Sequence, residues 1–162
     1  MSFKQWLENI YLDKEMKNKI DFFRKINIFK GLSNYDVGVL VTAMYRRTYE
    51  PGEVICPEHE IGKALFIIMD GEVVISRKAG LLKEEKVITR MKSGDFFGEM
   101  SLLEEKPRSG TAKAMSTCEI YIIYKANFDG MIEKNPRIGV KVIRNIAVVI
   151  SARLRGIMGQ LS

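Results

Sequence analysis

The residues of this chain whose types and spacing could do chemistry lie in one stretch, between Phe96 and Thr111. Phe97-Gly98-Glu99-Met100-Ser101-Leu102-Leu103 is followed, four residues on, by Arg108-Ser109-Gly110-Thr111, with Pro107 immediately ahead of the arginine. A glycine before a short helical turn leaves backbone N–H groups unsatisfied and pointing outward, which is an anion-binding arrangement. Arg108, fixed behind a proline, is placed to clamp such an anion with its planar fork of donors. Glu99 is the odd member, because a carboxylate beside an anion site is repulsive unless it faces a neutral hydroxyl of the same ligand. Phosphate plus a neighbouring hydroxyl describes a nucleotide.

Rival chemistries lack their residues. Cys56 and Cys118 lie 62 positions apart, match no paired metal spacing, and fall in strand-like segments, so they read as core thiols. His59 is the only histidine and has no Cys or Asp cluster beside it, which makes it a loop residue rather than a ligand. No acid/base pair and no nucleophile with a histidine partner is visible. The expectation is therefore a binding protein with no catalytic residue and no metal, and not an enzyme.

At 162 residues and 46% hydrophobic content the chain suits one sizeable core. Its longest apolar runs, such as 65–69 and 147–150, fall far short of the roughly 20 residues that span a bilayer. Residues 1–19 mix apolar side chains with charges and carry no uninterrupted apolar region of a secretory signal. These features predict a cytoplasmic chain without a transmembrane segment. The net charge of +6 is uneven: from Lys125 onward, seven basic residues (Lys125, Lys134, Arg137, Lys141, Arg144, Arg153, Arg155) face two acids (Asp129, Glu133), giving +5. That excess could draw nucleic acid or an acidic membrane face, although a solvated helix face accounts for it more simply.

The elements that must position the stretch follow from periodicity. Phe3, Trp6, Leu7, Ile10 and Tyr11 predict an amphipathic helix over 3–19, with 21–26 a short turn and Ser33 the N-cap of a helix over 34–44. The period then changes to two. Strands are predicted at 45–50, 54–56, 64–69, 72–76, 86–91, 111–115 and 119–124, and Asp70-Gly71 predicts a hairpin between the third and fourth. Short strands broken by glycine turns argue for a β-sandwich or a barrel-like roll rather than βαβ units. In the tail, Asn127 is the predicted cap of a helix over 128–134, and Pro136 opens a last helix with a stripe of Ile143, Ile146, Ile150, Leu154, Ile157 and Leu161. Such a stripe packs across the roll or pairs with a second copy of itself.

With the glycines, the roll and the Phe97–Thr111 stretch taken together, the sequence resembles the cyclic nucleotide-binding domain family over residues 22–154. Ile28-Phe29-Lys30-Gly31-Leu32-Ser33 looks like the family's opening segment, Gly52, Gly62, Gly71 and Gly94 fall at its turn positions, and residues 97–111 look like its phosphate-binding cassette. The resemblance implies a fold that is mainly β, an antiparallel jelly-roll with helices at both ends. It implies an N-terminal helix at 1–21, a roll with short helices at 22–134, and a C-terminal lid or dimerisation helix at 135–162. Gly98 would let backbone approach the ribose-phosphate, with Phe97 before it. Glu99 would accept from the ribose 2′-hydroxyl, amides around Met100 and Ser101 would face the cyclic phosphate, and Arg108 would pair its charge. Ser109, with Gly110 behind it, would add a phosphate contact or reach toward the base; the family reads a hydroxyl here as permissive for cGMP, while its bacterial activators carry Ser and use cAMP, which leans the choice to cAMP over cGMP. Arg153 would stack on the purine. His59 stands where the family prefers glycine, which implies a different loop shape.

The family attaches an output to this module, and no DNA-binding domain is expected after Pro136. The expectation is a stand-alone cyclic nucleotide-binding regulatory module that signals to a separate protein partner through its terminal helices, or through a homodimer along the C-terminal helix. The alternative is a β-roll interaction or scaffold domain that does not bind nucleotide.

Overall fold

Ser33 and Asp36 set the start of the first long-range element. The Ser33 hydroxyl accepts from the Asp36 amide at 3.1 Å and the Asp36 carboxylate accepts from the Ser33 amide at 3.2 Å, a capping box that satisfies two orphan donors and opens helix α2, Asn34–Thr42. The structure is a computed structural model that describes residues 14–80 and 84–160. Ahead of α2 lie helix α1, Lys14–Phe23, and a 3-10 turn, Asn27–Phe29. The predicted turn at 21–26 is corrected: residues 21–23 continue α1, because Ile20 and Phe23 keep the helical spacing of buried positions. Most of the amphipathic helix expected at 3–19 lies outside the described residues.

Among the described residues, eight strands form two four-stranded antiparallel sheets. They are β1 (Tyr45–Tyr49), β2 (Val54–Cys56), β3 (Ala64–Asp70), β4 (Glu72–Ala79), β5 (Glu84–Lys92), β6 (Phe96–Phe97), β7 (Thr111–Ala114) and β8 (Cys118–Tyr124). One sheet runs β1-β8-β3-β6 and the other β2-β7-β4-β5. Their inner faces close on Tyr49, Phe66, Ile68, Val73, Ala112, Ala114, Ile120 and Ile122, all buried. This is the antiparallel roll with flanking helices that the family resemblance implied.

The hairpin expected at Asp70-Gly71 does not form. β3 pairs with β8 and β6, whereas β4 pairs with β5 and β7 in the other sheet. Gly71 is a corner between sheets, not the tip of a ribbon. Its φ of 96° suits glycine, and an added Cβ would come within 2.6 Å of the Thr117 carbonyl and 2.7 Å of Cys118 Sγ. A tight-turn dipeptide specifies a reversal; which strand receives the returning chain is decided by pairing partners about 50 residues away in sequence, Ala64–Ile68 against Ile120–Tyr124.

The chain divides into two compact units, Met44–Gly130 and the segments on either side of it. After β8 come helix α3, Lys125–Lys134, and helix α4, Pro136–Gln160. Asn127 lies inside α3 rather than capping it, and its amide reaches the Tyr45 hydroxyl at 3.5 Å. Pro136 opens α4 as predicted, its missing N–H costing nothing at a first helical position. Within the helical unit, α4 buries Ile138, Val142 and Ile146, and Asn145 donates to the carbonyls of Ile28 at 3.1 Å and Lys30 at 2.9 Å. Arg137 donates to the Asp36 carboxylate at 2.9 Å and Lys141 to the Gly31 carbonyl at 2.8 Å. Part of the basic tail is thus engaged inside its own unit. Beyond Ile146, Val148, Leu154, Ile157 and Met158 stand exposed; Leu161 of the predicted stripe lies outside the described residues.

Candidate nucleotide site

Phe97 fixes the start of the site. Opposite Phe66 in the β3–β6 ladder, it stacks on that ring at 5.0 Å between centroids, with the planes 14° apart. The chain then reverses at Gly98, whose φ of 78° is left-handed, and enters a 3-10 turn, Glu99–Leu102. Glycine is required here twice over. A side chain would be strained by the dihedral, and its Cβ would lie 2.7 Å from the Ala64 carbonyl and 2.8 Å from Arg108 Nη1.

The turn carries its polar groups inward. Glu99 is only 4% exposed and Ser101 is buried, whereas Met100 is 52% exposed. The Ser101 amide donates to the Gly98 carbonyl at 3.0 Å, so that amide already closes the turn and the expectation of an outward donor narrows to the amides ahead of it. Ser101 also meets the loop before β3: a Cβ on Gly62 would collide with its hydroxyl, and the Gly62 amide donates to the Lys106 carbonyl at 2.9 Å.

Arg108 is locked by its backbone. Its amide donates to the Glu60 carbonyl at 2.8 Å and its carbonyl accepts from the His59 amide at 2.9 Å, while Pro107 bridges to Ile61. His59 takes a left-handed φ of 69°, so the loop keeps a glycine-like backbone although a histidine stands there. The Arg108 side chain lies over the Phe66 ring at 5.1 Å and its Nη2 donates to the Ala64 carbonyl at 3.2 Å. Its Nε is buried with no hydrogen-bond partner among the described residues. Ser109 is exposed and Gly110 half-buried, and a Cβ on Gly110 would lie 2.8 Å from the Ser76 carbonyl, so the glycine lets β7 start close against β4.

The structure therefore brings Phe97, Gly98, Glu99, Met100, Ser101, Arg108, Ser109 and Gly110 into one unit, with Arg108 against Gly98. Arg153 lies on α4, exposed, in the helical unit. Ala64 and Phe66 were not singled out in the sequence as site residues; β3 reads as plain core, and nothing in its alternation announces that one of its rings and one of its carbonyls hold the arginine. Nearby, burial pushes the Cys56 thiol up, against the pull of the Arg108 guanidinium, which keeps it a protonated core thiol rather than a nucleophile. No group of three or more His, Cys, Asp or Glu able to hold a metal exists among the described residues, and no helix among them is long and apolar enough to cross a membrane.

Residues 46–135 match the sequence model of a family described as the cyclic nucleotide-binding domain. The chain is 30% identical over 128 residues to the cyclic AMP receptor protein of Thermus thermophilus, spanning 79% of this chain and 57% of that one. It is 34% identical over 127 residues to a cGMP-dependent protein kinase of Toxoplasma gondii, spanning 78% of this chain and 12% of the kinase. The crystal structure of the Thermus thermophilus catabolite activator protein superposes with a TM-score of 0.75 at 30% identity, covering 83% of this chain and 61% of that one. The chain thus spans less than two thirds of the length of each of these relatives.

Proposed function

We propose that this chain, which belongs to the cyclic nucleotide-binding domain family, is a regulatory module that holds a cyclic nucleotide between Glu99 and Arg108 and passes the occupancy on to a protein partner. One observation carries the reading. Arg108 Nε is buried without a partner among the described residues, although the rest of the guanidinium is fixed by Ala64 and Phe66. A buried donor of a permanent cation left unpaired costs on the order of 1–3 kcal/mol or more. A phosphate oxygen at that position offsets the cost, and Gly98, having no Cβ, keeps side-chain bulk off the Arg108 guanidinium. Glu99 accepts from the ribose 2′-hydroxyl, and Phe97, Met100, Ser101, Ser109 and Gly110 shape the rest of the cassette.

We favour cAMP over cGMP because Ser109 is the residue that the family's cAMP-using bacterial activators carry at this position, although a hydroxyl there also permits cGMP. No metal takes part, the role is binding rather than catalysis, and the setting is the cytoplasm. The output runs through the helical unit. Ile143, Ala147, Ile150, Leu154 and Ile157 alternate at spacings of four and three along α4, the a/d pattern of a two-stranded coiled coil, and Leu154 and Ile157 are 56% and 58% exposed. A second copy of the chain is the proposed occupant of that seam. Calorimetric titration with cAMP and with cGMP tests the central claim; absence of heat at millimolar concentrations of both nucleotides refutes it.

A further inference from the structure

A second polar site lies on the outer face of the β2-β7-β4-β5 sheet. A cavity of about 270 Å³ opens there, lined among others by Ser76, Arg77, Lys78, Glu85, Thr111 and Lys113. Strand geometry puts them together. Ser76 stands opposite Thr111 in the β4–β7 ladder, and Lys113 follows two residues later on the same face of β7, while the alternate residues Ala112 and Ala114 point into the core. Lys78 and Glu85 face each other across the β4–β5 ladder.

The polar groups in this cavity are arranged around negative charge. On the face of Ser76, two cations (Lys78, Lys113) meet one carboxylate of the lining (Glu85), Arg77 alternating to the opposite face of β4, and Glu58 Oε2 accepts from the Lys78 amide at 3.1 Å. Ser76 is only 1% exposed, a rare burial for a serine on the outer face of a sheet. Its hydroxyl donates to Glu85 Oε1 at 2.6 Å. That bond, with Lys113 and Lys78 acting on the same carboxyl, holds Glu85 below the usual carboxylate range. Thr111 turns its hydroxyl to the Glu58 amide at 2.9 Å, which fixes the rim. The cavity thus already holds one oxyanion, supplied by the chain itself, beside Lys78 and Lys113.

We infer that this outer cavity is a binding site for a phosphate monoester, separate from the cassette and using Lys78 and Lys113, with Glu85 as the internal competitor. A monoester carries about 1.5 to 2 negative charges at neutral pH, which matches the two cations Lys78 and Lys113 once it displaces Glu85 from the Ser76 hydroxyl. Free phosphate compounds and a phosphorylated side chain of a partner share this chemistry. Neither Arg108 nor Glu99 belongs to the site, so it stands or falls independently of nucleotide binding.

The test is a titration of the nitrogen-15-labelled full chain with inorganic phosphate, followed by amide chemical shifts. Because phosphate also has Arg108 to bind, the amides of residues 98–101 report the cassette and those of Ser76, Thr111 and Lys113 report the outer cavity. Saturable shifts are expected at the second set. The Lys78→Ala, Lys113→Ala double variant should lose them while leaving the cassette shifts in place, and Glu85→Gln, which keeps an acceptor for Ser76, should bind phosphate about threefold tighter or more. A phosphoserine peptide that binds tighter than phosphate assigns the site to a partner's modified segment, and equal affinity assigns it to free phosphate. Shifts confined to the cassette, or insensitive to the lysine substitutions, or weakened by Glu85→Gln, overturn the inference.

Discussion

The Arg108 guanidinium lies 5.1 Å above the Phe66 ring. Phe66 in turn stacks on Phe97, so the cation is carried on a two-ring platform that runs from β3 to the residue before the cassette glycine. A lysine would keep the charge and lose both the planar stacking and the second donor that reaches Ala64. Arg108→Ala should reduce cyclic nucleotide affinity by about a hundredfold or more, the scale of a charge-assisted bidentate pair. Arg108→Lys should recover only part of it. Calorimetry reads both, with circular dichroism showing an unchanged fold; parental affinity in the alanine variant contradicts the assignment.

Glu99 should matter less. Buried at 4% exposure, it is proposed to accept from one ribose hydroxyl, a neutral donor. Glu99→Ala should therefore weaken binding by about 1–3 kcal/mol. A 2′-deoxy cyclic nucleotide should lose a similar amount against the parent and almost nothing further against the variant, a double-mutant-cycle result that a purely structural glutamate would not give.

Gly98→Ala tests the backbone directly. The substitution meets both a φ of 78° and a Cβ position 2.7 Å from the Ala64 carbonyl, so it should displace the turn and the arginine beside it. Expected outcomes are a lower Tm, from roughly 1–3 kcal/mol of strain, and nucleotide affinity reduced more than tenfold. An alanine variant with parental Tm and affinity would show that the left-handed turn is dispensable.

Asp36 gives a pH-dependent prediction in the helical unit. Burial raises its carboxyl, but the hydroxyl and amide of Ser33 and the Arg137 guanidinium outweigh that and hold it below the ordinary carboxylate value. A depressed folded value means stabilisation that is present above the unfolded value, near about 4, and lost as pH falls through the folded one. Asp36→Ala should cost about 1–2 kcal/mol at neutral pH through the lost capping box. Urea denaturation should show the gap between parent and variant narrowing below about pH 4; a gap that widens there contradicts the sign.

The α4 seam predicts assembly. Analytical ultracentrifugation should find the parent as a dimer and Ile157→Glu as a monomer, since a carboxylate at a d position is desolvated against its copy. Ile157 is exposed in the single chain, so the variant's Tm for the roll should not change. A monomeric parent at the highest soluble concentration removes the coiled-coil reading.

Much was legible in the sequence because it is local. The cassette is contiguous from Phe97 to Gly110, so its glycine, carboxylate and arginine could be read as two ends of one ligand without knowing any fold. The strands predicted at 54–56, 64–69 and 119–124 follow from short apolar runs and are met to within one residue by Val54–Cys56, Ala64–Asp70 and Cys118–Tyr124, and the Ser33 cap and the Pro136 helix start follow from residues within one turn of each other. Local rules misled where a competing contact lay far along the chain. Asn127 has cap chemistry, yet α3 already begins at Lys125, and Asp70-Gly71 has hairpin chemistry, yet β8 and β6 claim β3.

By itself, then, the sequence determined the polar chemistry of the cassette and the period of the elements around it, since both depend on neighbours within a few residues. Tertiary structure alone decided that Ala64 and Phe66, more than 40 residues before Arg108, hold its side chain and leave Nε unmatched. It alone also set Ser76, Glu85 and Lys113 around one cavity. Sheet pairing chooses those neighbours, and pairing is settled by burying two inner faces at once, a balance summed over the whole roll that no single stretch of chain contains.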